Sequence, residues 1–484
     1  MHLNEYTAYD GLGLAELVRR KEVTPGELVR TALAAIECVN PRINAVIGTL
    51  EEEARATLEH GVPEGPFTGV PFLIKDAVLH AANVPCEMGS RLAVGAVMPH
   101  DSELMARFRE AGLVTVGRTN TPEMAFNVTT EPLLRGPTRN PWNPEHSVGG
   151  SSGGAAAAVL AGIVPLAHAN DGGGSIRIPA SFCGVFGLKP TRGRTPIGPD
   201  AADGLNGLGI EHVVSRSVRD SAAMLDATRG PDVGEPYQIQ APERPYLAEL
   251  ARPPGTLRIA FSRTLAAGVP VSPECIAAVE DAAKLCLELG HEVVEASPQY
   301  DPAKLDEANV AIWSSNLALW VEGLAAATGR SPEETLEATV WATARHGRAL
   351  KAVELQRALL ELNQISRSVG RFFTRHDVLL TPTVAVPPFK LGVMDANARM
   401  TAEEWVKRIF TACPFTALFN ATGQPAMSVP LYWSAGLPIG VQFAGRWGDE
   451  ATLFRLAAQL ERARPWAGRR PLIHAAAPVR EASP

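Results

Sequence analysis

Lysine is scarce in this 484-residue chain, with eight against 37 arginines. Arginine does not deprotonate in proteins, so any amine base has few candidate positions. The six cysteines, at 38, 86, 183, 275, 286 and 413, include no C-x-x-C pair. That argues against a disulfide framework and fits a reducing cytoplasm. There is no H-E-x-x-H, no cysteine/histidine cluster, no G-x-x-x-x-G-K-[ST] and no G-x-G-x-x-G. Metal and nucleotide chemistry therefore find little support, and neither a metal ligand nor a cofactor is expected. The absence of S-x-x-K counts against the arrangement of penicillin-binding enzymes. A net charge of −7 argues against nucleic-acid binding through a general basic field. The start MHLNEYTAYDG lacks the regions of a signal peptide, and no apolar run approaches the length needed to span a bilayer. A soluble, cytoplasmic protein without membrane partners is the expectation. No internal repeat is evident.

What is present is a substantial apolar fraction, 46%, with 20% charged residues, enough to bury a large core. The length allows more than one domain or one large α/β unit. One stretch stands out, GGSSGGAAAAVLAGIVPLAHANDGGGSIRIP from Gly149 to Pro179, with Ser151 and Ser175 each set among glycines. Glycine this dense is costly to order. One reason for it is a set of backbone N–H groups brought close to a developing negative charge. Two tight turns around an alanine-rich core helix would explain one such loop; two loops with a central serine each favour chemistry.

Coarse patterning indicates strands alternating with helices, hence an α/β sheet between helical layers. Thr24 with Pro25 and Glu27 reads as a capped helix start. GVPFLIKDAV reads as a buried strand ending at Lys75, and LVTVGRTN as another after a helix capped by Asp101 or Ser102. A proline-rich crossing at 230–255 precedes LRIAF, a helix from Ser272–Pro273 to Gly290, and HEVVEA. Residues 303–375 are almost wholly helical and carry Trp313, Trp320 and Trp341, with a capping signal at Ser331–Glu334. The sheet resumes at DVLLTPT, PAMSVPLYW and GLPIGVQFAG, with helices from Thr401 and from Asp449 to about Arg464.

A serine needs a base before it is a useful nucleophile. Gly149–Gly153 formally matches G-x-S-x-G, but RNPWNPEHSV before it is turn-like where that motif needs a strand. Of the histidines, only His146 and His168 lie near either serine in sequence, and either is as readily an ordinary core or surface residue. The other candidate base is a desolvated lysine, whose neutral form burial favours. Lys75 after VPFLI and Lys189 in GVFGLKPTRGR qualify by context, with a side chain snorkelling from a strand end as the plainer account of each.

GVPFLIKD around Lys75, GRTNTPEMAF at 117, GGSSGG at 149, DGGGSIRIPASFCGVFGLKPTRGR from 171 and GLPIGVQFAG at 436 together resemble the amidase signature hydrolases. The resemblance spreads over most of the chain. It implies a Ser–cisSer–Lys triad with Lys75 as base, Ser151 as the bridging serine on a cis peptide bond, and Ser175 as nucleophile. It implies backbone N–H groups of Gly172, Gly173, Gly174 and Ser175 as the oxyanion hole, an Asp171–Arg177 pair that holds the loop, and a structural Lys189. The family commonly has threonine where Gly172 stands, which implies a more flexible or open loop here. VTTEP, RNPWN and AHANDGGGS resemble the group of bacterial amidases that includes 6-aminohexanoate cyclic dimer hydrolase.

The resemblance implies one amidase domain over 1–475, a large mixed sheet between helical layers, and a loose tail over 476–484. A helical region at about 303–410, containing Trp405 as well, is expected to cover the active site. The implied reaction is hydrolysis of a carboxylic amide C–N bond, on a small linear or cyclic substrate and without cofactor. A homodimer is the assembly expected. The alternatives are the glutaminase subunit of a tRNA-dependent amidotransferase, which shares the triad, and an inactive scaffold or binding protein on the same fold.

Overall fold

A computed structural model describes residues 1–265 and 268–477; of the expected loose tail, 478–484 lie outside the described residues. One eleven-stranded mixed sheet runs through the molecule. Its strands are β1 (Val46–Thr49), β2 (Pro71–Lys75), β3 (Val114–Thr119), β4 (Leu166–Asp171), β5 (Phe186–Lys189), β6 (Ile210–Ser215), β7 (Arg258–Phe261), β8 (Glu292–Glu295), β9 (Val378–Pro382), β10 (Ala426–Ser434) and β11 (Leu437–Gly445). Their spatial order is β1-β3-β2-β4-β6-β5-β10-β11-β9-β7-β8. β2 runs parallel to β3 and β4, while the centre from β4 through β6, β5, β10 and β11 to β9 is antiparallel. The mixed α/β architecture is thus the expected one.

The cap signals translate directly. Thr24 and Glu27 form a reciprocal capping box on the helix Pro25–Ile43, and Thr401 with Glu404 does the same for Ala402–Ala412. Ser102, Ser272 and Asp449 cap Glu103–Glu110, Pro273–Glu288 and Glu450–Ala463. At Ser331 the helix is a single turn, Pro332–Thr335, and the serine side chain makes no cap bond.

The helical region comprises Pro302–Thr328, Pro332–Thr335, Ala338–Ala349, Ala352–Phe372 and Ala402–Ala412. Pro302–Thr328 differs from expectation, being long and apolar enough, by length and composition, to cross a membrane. In the fold Leu305, Ile312, Leu317 and Val321 on this helix join one apolar cluster with Val340, Leu362 and Val406 of the neighbouring helices. The helix therefore buries its apolar face in protein.

The alanine-rich segment is a helix, Gly153–Leu160, buried at every residue. Its small residues answer to close backbone approach: a Cβ on Gly154 would stand 2.5 Å from the Asn120 nitrogen, and one on Gly150 2.5 Å from the Thr129 oxygen. Both glycines are there for space. The helix starts immediately after Ser151 and Ser152 and so presents both hydroxyls to the sheet.

Candidate active site

Adjacent parallel strands place polar side chains at their carboxyl ends, which is where ligand sites form in such sheets. β2 and β4 pair through Leu73 and Ala167; β2 ends in Lys75 and β4 in Asn170–Asp171. Ser151 and Ser152 approach from the start of the Gly153–Leu160 helix, and the Gly150–Ser151 peptide is cis. Ser175 lies in the loop between β4 and the helix Arg177–Cys183.

The Lys75 amine is fully enclosed and has three near neighbours. Asn170 Oδ1 lies 2.5 Å from Nζ, Ser151 Oγ 2.6 Å and Ser152 Oγ 3.1 Å. The Asn170 amide nitrogen donates to the Ala77 carbonyl at 3.0 Å, so its oxygen is what faces the amine. The Ser152 hydroxyl donates to the Asn170 carbonyl at 3.1 Å, so toward Lys75 it accepts. Two hydrogens of a neutral amine are thereby placed, and the lone pair is left for the Ser151 hydroxyl. Burial lowers the Lys75 pKa to about 7, against the opposing charges of Glu211 and Asp171.

His168, one of the two histidines near a serine in sequence, lies behind the lysine backbone. The Lys75 N–H donates to His168 Nδ1 at 3.2 Å, which leaves Nε2–H to donate to Glu211 at 2.6 Å. Both ring nitrogens are engaged away from the serine hydroxyls. His146 sits in the 140–147 turn, where its backbone bridges to Lys390 and its Nδ1 has no hydrogen-bond partner among the described residues. Lys189 donates to the Pro190 carbonyl at 2.7 Å at the end of β5.

The loop after β4 is held by a buried ion pair. Arg177 reaches Asp171 through two bonds of 2.9 Å and continues to Thr416, Asn420 and Gln442. Burial alone would raise the Asp171 pKa, but the Arg177 charge and hydrogen bonds bring it down to about 2. The same carboxylate accepts the N–H of Gly174 at 2.7 Å and of Ile176 at 3.2 Å. Gly174 is thus already engaged within the loop, whereas the N–H groups of Gly172, Gly173 and Ser175 make no internal hydrogen bond among the described residues. The space beside Gly172 is filled rather than open: a Cβ there would stand 2.6 Å from Leu205 Cδ1 and 3.0 Å from Trp313 Cζ2.

Ser175 is 8% exposed and borders two cavities that also share Ala125 and Trp313. One, about 30 Å³, is walled by Phe126, Val128, Ile178, Ile409 and Phe410. The other, about 40 Å³, reaches Ser151, Asn170, Leu205, Glu211 and Trp320. Ile409, Phe410, Trp313 and Trp320 come from the helical region, so it does form a roof over Ser175. Trp405 is core, and Trp341 lies under the Arg345 guanidinium.

The family model described as Amidase matches residues 27–454. The chain belongs to the amidase family. The amidase is 39% identical over 481 residues to the 6-aminohexanoate-cyclic-dimer hydrolase of Paenarthrobacter ureafaciens, covering 96% of each chain. It superposes on a structure of 6-aminohexanoate cyclic dimer hydrolase complexed with substrate with a TM-score of 0.90 at 37% identity, over 97% of this chain and 100% of that one. A bacterial aryl acylamidase of the amidase signature family matches at TM-score 0.86 and 28% identity, over 95% and 99%. This amidase is therefore a hydrolase of amide C–N bonds built on the amidase signature fold. Ser152, Asn170 and Glu211 escaped the reading of its motifs. Polar residues ending the buried strand LAHAND, and a second serine beside Ser151, were the available signals.

Proposed function

We propose that this amidase hydrolyses a small linear or cyclic carboxylic amide through an acyl-enzyme on Ser175, with Ser151 and Lys75 as its proton relay. The observation that carries the reading is the Lys75 amine: its two hydrogens have acceptors in Asn170 and Ser152, and its lone pair has Ser151 Oγ at 2.6 Å. Neutral Lys75 draws the Ser151 proton as Ser151 takes that of Ser175, and Ser175 Oγ bonds to the amide carbon. The carbonyl oxygen, now negative, is met by N–H groups of the Gly172–Ser175 loop, with Gly172, Gly173 and Ser175 as the donors still free. Collapse breaks the C–N bond, and the relay returns its proton to the departing amine. Water then enters, the relay deprotonates it, and the ester is hydrolysed to the carboxylic acid with Ser175 regenerated.

Two cavities meeting at Ser175 suit a substrate with chain on both sides of the scissile bond, and their walls favour apolar chains ending in few polar groups. The relative named for a cyclic dimer of 6-aminohexanoate fits that description, which is why linear and cyclic ω-amino acid amides lead the substrates to test. We take the chain as one amidase domain over 1–475 and a homodimer as the assembly to look for. Its six free cysteines suit a reducing cytoplasm. The test is amine release from a panel of linear amides, cyclic amides and glutamine, with parent protein and Ser175→Ala. Turnover of a small amide by the parent alone supports the reading; equal turnover by both proteins defeats it.

A further inference from the structure

The lip of the larger cavity carries a second cluster of ligating side chains. Val78, Ile197 and Ala201 line that cavity, and next to them stand His80 and Asp200, with His100 beside both. We propose that His80, His100 and Asp200 bind a divalent transition cation of the zinc class, tying together the two loops that border the cavity.

The distances suit one ion. His80 Nε2 lies 3.1 Å and His100 Nε2 2.9 Å from Asp200 Oδ2, and the three ligand atoms all fall within 4.8 Å of one another. Tetrahedral zinc, with bonds of about 2.0–2.2 Å, separates neighbouring ligand atoms by roughly 3.3 Å. Small side-chain adjustments therefore make the site, and the fourth position remains for water. Two imidazoles and one carboxylate select zinc-like ions over magnesium and calcium, which prefer all-oxygen shells.

The state of His80 is the independent observation. Its Nδ1 lies 3.2 Å from the Val78 carbonyl, which only accepts, so Nδ1 carries the hydrogen. A neutral ring then has its lone pair on Nε2. That nitrogen is buried in a side chain only 8% exposed, has no hydrogen-bond partner among the described residues, and faces a carboxylate oxygen. A buried lone pair facing a carboxylate oxygen calls for a cation between them. Fixing Nδ1 on a backbone carbonyl is also how proteins orient a metal-binding histidine.

The ligands are held in register before any ion arrives. The Ser102 N–H and hydroxyl both reach the His80 carbonyl, at 3.1 and 3.3 Å. The Glu103 N–H donates to Gly198 O at 3.0 Å, joining the Asp200 loop to the same segment. Asp101, beside His100, is fixed by the Ala82 N–H and by Arg109. The site stands apart from the Lys75 relay, and its existence does not depend on the hydrolytic mechanism.

The test is calorimetric titration of untagged, chelator-treated full-length protein with zinc chloride, with visible absorption of the cobalt(II)-loaded form alongside. We expect one equivalent bound, a tetrahedral cobalt spectrum, a raised Tm with zinc, and no displacement by excess magnesium. His100→Ala and Asp200→Asn change exposed side chains; circular dichroism should show both folded, with binding and the Tm increase lost. Absence of saturable binding by the parent overturns the proposal. So does zinc binding that survives both substitutions, because the ion is then held elsewhere.

Discussion

Lys75 Nζ and Asn170 Oδ1 lie 2.5 Å apart at the carboxyl ends of neighbouring strands, with the Asn170 amide locked the other way round by the Ala77 carbonyl. The amine is consequently a donor toward β4 and an acceptor toward Ser151. In the proposed relay, this orientation together with burial is what makes a strand-end lysine a base.

The acid limb of the pH–rate profile should follow from that geometry. Burial lowers the Lys75 pKa to about 7, so the neutral, competent amine is lost as pH falls below that value. Asn170→Asp places a carboxylate beside Nζ, favours the charged amine and should move the limb to higher pH. The measurement is kcat/KM against pH for both proteins. An unchanged limb would mean that another group titrates.

Ser175→Ala should abolish amide turnover, with loss of at least about three orders of magnitude expected for a missing nucleophile. Its Tm should stay near that of the parent, since the hydroxyl oxygen takes part in no hydrogen bond within the fold among the described residues. A fluorophosphonate or sulfonyl fluoride probe should label the parent at Ser175 and leave the variant unlabelled, as read by peptide mass spectrometry.

The Asp171–Arg177 pair is fully buried, so removing one member leaves an uncompensated charge in the interior. Arg177→Met should destabilise the fold by roughly 3–5 kcal/mol in urea denaturation. The sign with pH is also set. Because Asp171 is held down to about 2 in the fold, its contribution is complete above the ordinary carboxylate range and disappears as pH falls toward about 2. A parent whose stability is flat from pH 5 to pH 2 would contradict this.

Gly172→Thr should lower kcat/KM more than it lowers Tm, because the new side chain meets Leu205 and Trp313 at the cavity wall. Adding Leu205→Ala should restore part of the lost activity. If the single variant turns over normally, the wall yields more easily than its contacts imply.

Glu123 and Glu337 meet under the helical roof, where the Glu337 N–H donates to Glu123 Oε2 at 2.6 Å. Burial raises both carboxyls, and for Glu123 the neighbouring Glu337 charge adds to it. A raised acid binds its proton more tightly in the fold than in the unfolded chain. The resulting stabilisation is present at acid pH and is lost as pH rises toward the raised values. Glu123→Gln should therefore gain Tm over the parent at pH 8 and differ little from it at pH 5.

The sequence by itself determined a great deal. Cap residues such as Thr24 with Glu27 act within one turn, and PFLIK or GLPIGVQFAG read as strands because local apolar runs report burial directly. The glycine-cushioned serines drew attention to Ser151 and Ser175, and the rarity of lysine left Lys75 and Lys189 as candidates, between which only the family resemblance chose. β4, in contrast, was hidden: LAHAND has alanines and strand-averse polar residues, and it is a strand because its neighbours β2 and β6 bury it. Only the tertiary structure decided which groups face the Lys75 amine, because Asn170 comes from 95 positions away and a polar strand end does not by itself say what it faces. The same holds for Leu205 and Trp313 against Gly172. Hydrogen-bond direction and steric closure are properties of groups brought together by chain crossings, and a one-dimensional pattern records neither.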